Sequence, residues 1–174
     1  MQKRANAVTF KGNPLTCVGP QLKAGDKAPE FTCLSGLEVL TLAKTPAKAR
    51  LLSAVPSLDT PVCSQETKKF EESIGAFKDK VACYTISLDL PFAQKRFCSA
   101  ENINNMQTLS DVHNHSFGQN YGVLIEGLPL PLLSRAVFVL DKAGKITYVE
   151  YVPEVASHPN YDKALEALKA AASA

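Results

Sequence analysis

The sequence predicts an α/β fold: one sheet with helices on both of its faces. Three observations predict it. Short runs rich in aliphatic and β-branched residues, Arg50–Val55, Val81–Leu88 and Ala136–Leu140, read as buried strands. Segments with helical spacing separate the first two of these and close the chain. The length, 174 residues with 45% apolar composition, suits one hydrophobic core and would be cramped for two. Residues 1–174 are therefore expected to form a single domain.

The elements come in order along the chain. Val8–Phe10, a turn at Lys11-Gly12-Asn13-Pro14, and Leu15–Val18 read as a hairpin. Gly25–Pro29 is loop, and Glu38–Leu42 alternates weakly, as an edge strand does. The Arg50–Val55 strand stops at Pro56. A helix follows, with apolar positions at Val62, Phe70, Ile74 and Phe77. Val81–Leu88 is rich in β-formers. Pro91–Cys98 starts a short helix, Asn102–Asn105 is loop, and Phe117–Val123 is short and mixed. The turn signal Asp141-Lys142-Ala143-Gly144 joins Ala136–Leu140 to Lys145–Val152 as a second hairpin. Tyr161–Ala172 ends the chain as an Ala-rich helix with Ala164, Leu165 and Leu168 on one side. This order fits a thioredoxin-like fold with an N-terminal β-hairpin; the order of strands in the sheet does not follow from it.

Charge and composition narrow the function classes. Lys and Arg number 19 against 17 Asp and Glu, for a net charge of +2 without a long run of either sign. Nucleic acid and acidic membrane are thus not the expected partners. No apolar stretch approaches the roughly 20 residues that span a bilayer. After Met1-Gln2-Lys3-Arg4 no apolar run of a secretory leader follows, so a reducing, cytoplasmic setting is expected. The cysteines are Cys17, Cys33, Cys63, Cys83 and Cys98, an odd number with no C-x-x-C pair. That argues against a disulfide framework, a structural zinc site and a dithiol of thioredoxin type. Asp111-x-His113-x-His115 lies in a polar stretch and reads as a solvated loop before it reads as a ligand set. No Gly-rich phosphate loop and no Cys-His-Asn signature occur. Neither a cofactor nor a metal is expected.

Chemistry concentrates in Pro56-Ser57-Leu58-Asp59-Thr60-Pro61-Val62-Cys63, between a buried strand and an amphipathic helix. Thr60 suits an N-cap and Pro61 the first helical position. Cys63 then falls in the first turn, where free N–H groups and the helix dipole favour an anion. A thiol there should have a lowered pKa, and the thiolate is the nucleophile. By local features alone, a small buried residue packing under the helix is an equally good reading.

Pro56, Thr60 and Cys63 together form P-x-x-x-T-x-x-C, which resembles the active-site motif of peroxiredoxins. Gly25–Pro29, Ser87–Gln94, Phe117–Val123, Arg135–Asp141 and the opening hairpin resemble the bacterial thiol peroxidase branch, so the resemblance covers nearly the whole chain. It implies that Cys63 attacks the terminal peroxide oxygen and becomes a sulfenic acid. It implies that Thr60 hydrogen-bonds the thiolate or peroxide, that Pro56 shields the site, and that Arg135 stabilises the thiolate and polarises the peroxide. Taken singly, Thr60 reads as a helix cap, Pro56 as a strand end and Arg135 as a solvated surface cation. Glu66, about one turn beyond Cys63, reads as a solvated helix residue before it reads as a supporting group for the site.

The resemblance also implies that Cys98 resolves the sulfenic acid through an intramolecular disulfide with Cys63, 35 residues earlier. Of the other cysteines, Cys83 reads as core, and Cys17 and Cys33 as structural residues of the N-terminal strands. Lys95 and Arg96 beside Cys98 would favour its thiolate. A disulfide needs Cα atoms within about 7 Å, so the Cys98 segment, and the first turn at Cys63, are expected to unwind. Further implications are thioredoxin as reductant, a homodimer with the site near its interface, and alkyl hydroperoxides or hydrogen peroxide as substrates. Two rival functions remain open on the sequence. One is a binding or chaperone-like module that leaves Cys63 unused; the other is a protein-dithiol oxidoreductase, against which the missing C-x-x-C speaks.

Overall fold

The computed structural model describes residues 1–174. The alternating N-terminal segment forms a hairpin of β1 (Lys3–Phe10) and β2 (Asn13–Val18). Its turn residues Lys11 and Gly12 have φ of 50° and 83°, the left-handed pair that matches the twist of the flanking strands. β3 (Thr32–Ser35) and β4 (Glu38–Thr41) make a second hairpin, with β4 at the edge of its sheet. β5 (Ala49–Ala54) is buried along its whole length. Then come α1 (Pro61–Ile74), β6 (Val81–Ser87), α2 (Pro91–Ala100), β7 (Met106–Ser110) and α3 (Ser116–Asn120). The chain closes with β8 (Leu124–Glu126), β9 (Leu132–Leu133), β10 (Ala136–Leu140), β11 (Ile146–Tyr151) and α4 (Tyr161–Ser173).

The strands form a seven-stranded sheet ordered β11-β10-β5-β6-β7-β3-β4 and a four-stranded sheet ordered β1-β2-β8-β9. Strands β5, β6 and β7 run parallel, and β10 lies antiparallel to β5. Because side chains alternate along a strand, the large sheet has two apolar faces. Leu52, Ala54 and Phe138 meet Phe31, Phe117 and Tyr121 on one. Leu51, Val137 and Val139 meet Phe70 of α1 and Leu168 of α4 on the other. Each fully buried Leu or Phe contributes about 1.5–3 kcal/mol by leaving water. The α/β class, the thioredoxin-like layout and the N-terminal hairpin all hold. No helix is long and apolar enough to cross a membrane.

Three parts of the sequence reading change. Met106–Ser110, unread as a strand, is the parallel neighbour of β6; its few apolar residues sit among Gln107, Thr108 and Ser110, and pairing rather than pattern makes it a strand. The mixed stretch Phe117–Val123 holds most of α3, and the short strand β8 follows it. Helix α1 stops at Ile74, before Phe77, because Gly75 begins a 3₁₀ segment through Lys80.

One register positions the chemistry. Ala54 at the end of β5 pairs with Ala136 at the start of β10. The chain leaving β5 toward Pro56 therefore runs beside Arg135.

Candidate active site

The segment after β5 turns back on itself before α1 begins. Thr60 is the extended N-cap residue (φ −96°, ψ 147°), Pro61 is the first helical residue, and the first intrahelical bond runs from Ser64 N to Thr60 O at 3.0 Å. The amides of Val62 and Cys63 precede that bond and have no helical acceptor. The expectation that the Thr60 side chain caps α1 is not met. Its Oγ1 donates to Ser57 O at 2.8 Å, because the tight turn that also bonds Thr60 N to Ser57 O puts that carbonyl nearer. Thr60 is exposed.

Arg135 reaches the cysteine. Its Nη2 donates to Cys63 Sγ at 3.3 Å, its Nη1 to Glu66 Oε2 at 2.6 Å, and its Nε to Val155 O at 3.1 Å. The Val155 carbonyl is held in place from the N-terminal hairpin: Val155 N donates to Thr9 O, and Thr9 N to Pro153 O, both at 2.8 Å. Arg135 is only 2% exposed, so the solvated-cation reading is overturned. Burial works against its charge, but Glu66 and Cys63 outweigh it and raise its proton affinity.

Glu66, read first as a solvated helix residue, is the site residue the sequence reading misjudged. It is fully buried rather than solvated. Burial pushes its carboxyl up to about 7, with the Arg135 guanidinium pulling the other way. Only Oε2 is bonded; Oε1 is buried with no partner. A signal for it existed: positions i and i+3 share a helix face, so whatever Cys63 faces, Glu66 faces too.

Pro56 is buried at the end of β5, and Val55, Leu58 and Cys63 form a small apolar cluster against which Phe97 of α2 packs. Asp89 braces this loop, accepting from Ser57 Oγ at 2.7 Å, Leu58 N at 2.8 Å and Ser87 Oγ at 2.8 Å. Cys63 itself is 0% exposed.

Cys98 lies in α2, half-buried, with Sγ 3.8 Å from Thr108 Oγ1. It lines a cleft of about 520 Å³ with Pro91, Lys95, Ile103 and Thr108. Burial pushes its thiol pKa up, with Thr108 opposing, so the expected thiolate support from Lys95 and Arg96 does not appear. Both are exposed, and Arg96 points to Asp59 at 3.8 Å. All five cysteines are free thiols. Cys17, Cys33 and Cys83 are buried in the fold, and burial raises all three, Cys83 to about 12. Asp111 is likewise buried, not solvated: it accepts from Phe117 N at 3.0 Å and Gly118 N at 2.8 Å, while His113 is exposed.

A thiol at a helix start, sharing a buried guanidinium with a carboxylate on a thioredoxin-like sheet, defines a class of redox proteins. The redoxin family model matches residues 23–165, and the chain belongs to that family. Within it, the similar proteins are thiol peroxidases. That of Halalkalibacterium halodurans is 52% identical, over 95% of this chain and 98% of that protein. That of Bacillus subtilis is 50% identical, over 94% and 96%. Among solved structures, a peroxiredoxin-like protein from Aquifex aeolicus superposes with a TM-score of 0.88 at 45% identity, covering 95% of this chain and 97% of that one. The Chromobacterium violaceum thiol peroxidase shares the fold, with a TM-score of 0.84 at 20% identity and 94% and 95% coverage.

Proposed function

We propose that this chain is a thiol-dependent peroxidase whose nucleophile is Cys63. The reaction class follows from its family; the assignment of residues rests on one observation above all, the Arg135 Nη2 to Cys63 Sγ contact of 3.3 Å between two buried side chains. A fixed guanidinium there stabilises a thiolate and can polarise a peroxide at the same time.

The thiolate of Cys63 attacks the terminal oxygen of the peroxide. The S–O bond forms, the O–O bond breaks, and the departing oxygen takes a proton and leaves as water or an alcohol. Cys63 becomes a sulfenic acid, oxidised by two electrons. The Thr60 hydroxyl, at the mouth of the loop, hydrogen-bonds the incoming peroxide, and buried Pro56 keeps water from the sulfur. Glu66 holds the other arm of Arg135 and fixes its plane. Alkyl hydroperoxides are the proposed substrates ahead of hydrogen peroxide, in keeping with the apolar cluster of Val55 and Leu58, with Phe97 against it, beside the sulfur.

Cys98 then attacks the sulfenic sulfur, hydroxide leaves as water after protonation, and the Cys63–Cys98 disulfide forms. Both helices are intact with free thiols, so α2 must unwind locally for the two sulfurs to meet. Thioredoxin returns the pair to thiols by dithiol exchange. We place the chain in the cytoplasm as a single domain, residues 1–174, that pairs as a homodimer. The exposed Leu90 and Phe92 at the start of α2 supply apolar surface for that pairing.

Thioredoxin-coupled peroxide consumption by wild type, Cys63→Ser and Cys98→Ser tests the scheme. Cys63→Ser is expected to be inactive, and Cys98→Ser to be oxidised once without recycling. Full turnover by Cys63→Ser would overturn it.

A further inference from the structure

Helix α2 is poorly held by apolar packing. Of its ten residues only Pro91 and Gln94 are buried, and Phe92 is 66% exposed. Polar fastenings hold its first turn and its two ends instead; in that turn Gln94 Nε2 donates to Leu109 O at 2.8 Å and to Ser87 Oγ at 3.1 Å. Immediately before it, the Asp89 carboxylate is bonded to Ser57 Oγ and Leu58 N in the loop that leads to Cys63, while Ser110 Oγ donates to the Asp89 carbonyl at 2.6 Å. Just beyond it, the buried Glu71 carboxylate on α1 accepts from the backbone amides of Asn104, of Asn105 at 2.6 and 2.7 Å, and of Met106 at 3.2 Å. Asn105 Nδ2 also donates to the Glu71 carbonyl at 3.1 Å. One carboxylate thus ties the front of α2 to the loop before Cys63, and the other ties its rear to the helix that carries Cys63.

We propose that Asp89 and Glu71 are positioning residues for the resolution step, two staples that bound the segment released when Cys98 leaves α2 and that keep the freed thiol near Cys63. This rests on the reading of Cys63 and Cys98 as the redox pair. The staples act on residues outside the helix, so they survive while the turns between them melt. With Asn104 fixed, Cys98 is six residues away, and an extended chain of that length reaches about 20 Å. The freed thiol is therefore tethered at both ends within reach of the sulfenic acid, which keeps its effective concentration high. Segments with few buried apolar contacts are those that open at low cost. Charge-assisted bonds to several amides at one boundary hold that boundary while the segment opens. Loosening one staple frees that boundary and dilutes the thiol around Cys63, so resolution should slow.

The first test needs no substitution. Hydrogen exchange on the reduced wild-type protein should show the amides of residues 95–103 opening together, and more readily than those of α1. The amides of Asn104–Met106 should stay protected. Exchange of Asn104–Met106 together with α2, or α2 protected as strongly as α1, would overturn the proposal. The second test compares wild type with Glu71→Gln and Asp89→Asn after mixing with a peroxide. Sulfenic acid formation should be unchanged in Glu71→Gln, while its disulfide formation falls about fivefold, as expected when charge-assisted bonds become neutral ones, and sulfinic acid per turnover rises. Asp89→Asn should shift the same partition in the same direction. A merely structural role would lower thermal stability and leave the ratio of disulfide to sulfinic acid unmoved, which would sink the proposal. Peptide mapping of oxidised wild type separates the two layers. Absence of a Cys63–Cys98 disulfide overturns the redox pair and the staples with it, whereas a wild-type disulfide with an unmoved ratio overturns the staples alone.

Discussion

Helices α1 and α2 begin alike and end up different. Each opens with a proline after an extended residue, neither has a side-chain cap, and each carries a cysteine. Helix α1 buries six residues, among them Cys63, Glu66, Phe70 and Ile74. Helix α2 buries two, and its cysteine is half-exposed. A thiol that must meet a guanidinium at a fixed distance needs a helix clamped into the core. A thiol that must travel to its partner needs one that can let go. In the proposed cycle the same local start, placed over different depths of apolar surface, serves the two needs.

The largest expected effect would break the α1 side outright. Arg135→Ala leaves the buried Glu66 without its partner, which should cost about 3–5 kcal/mol of stability. It should also slow peroxide reduction about 10²–10³-fold, the loss typical for a fixed electrostatic donor. Urea unfolding and stopped-flow oxidation check both; a variant as fast as wild type would remove Arg135 from the scheme.

One substitution in each helix sharpens the contrast. Phe70 is fully buried and packs edge-on to Tyr161 with ring centroids 5.3 Å apart; Phe70→Ala should cost about 3–5 kcal/mol. Phe92 on α2 is 66% exposed in the single chain, and Phe92→Ser, measured at a protein concentration low enough to keep the chain monomeric, should stay within about 0.5 kcal/mol. Equal losses in urea titrations would mean that the helices are anchored alike.

Glu66 gives a subtler, pH-dependent difference. Burial raises its carboxyl to about 7, so the folded protein holds that proton more tightly than the unfolded chain. Its contribution to stability is therefore full below the ordinary carboxylate range and is lost as pH rises toward about 7. In Glu66→Gln that slope should vanish, while Glu72→Gln, exposed on the opposite side of α1, should keep it. Urea midpoints across this window decide the matter, and an unchanged slope in Glu66→Gln would deny its part.

The smallest effect is expected at Thr60. Because its hydroxyl does not cap α1, Thr60→Val should alter stability by no more than about 0.5 kcal/mol. Its expected consequence is a slower reaction with peroxide, read from the second-order rate of sulfenic acid formation.

Residue pattern alone was enough for the local features. Alternation and turn residues sufficed for the first hairpin and for the β10–β11 hairpin, and Pro61 after Thr60 sufficed to start α1 with Cys63 in its first turn. The family motif pointed to Pro56, Thr60 and Cys63 because it spans them, and the matching start of a core strand pointed to Arg135. Periodicity says which face of an element is apolar, but not what lies against that face. Strand β7 has too little pattern of its own and exists because β6 offers it a parallel edge. Only the assembled sheet brings Arg135, 72 residues from Cys63, to its sulfur. The pairing of Ala54 with Ala136 brings their chain segments together. Packing likewise buries Glu66, leaves Cys98 on a loosely held helix, and sets Asp89 and Glu71 at either end of it. Each of these joins residues far apart in the chain, and contacts of that kind are set by sheet order and layer packing, which local residue patterns do not encode.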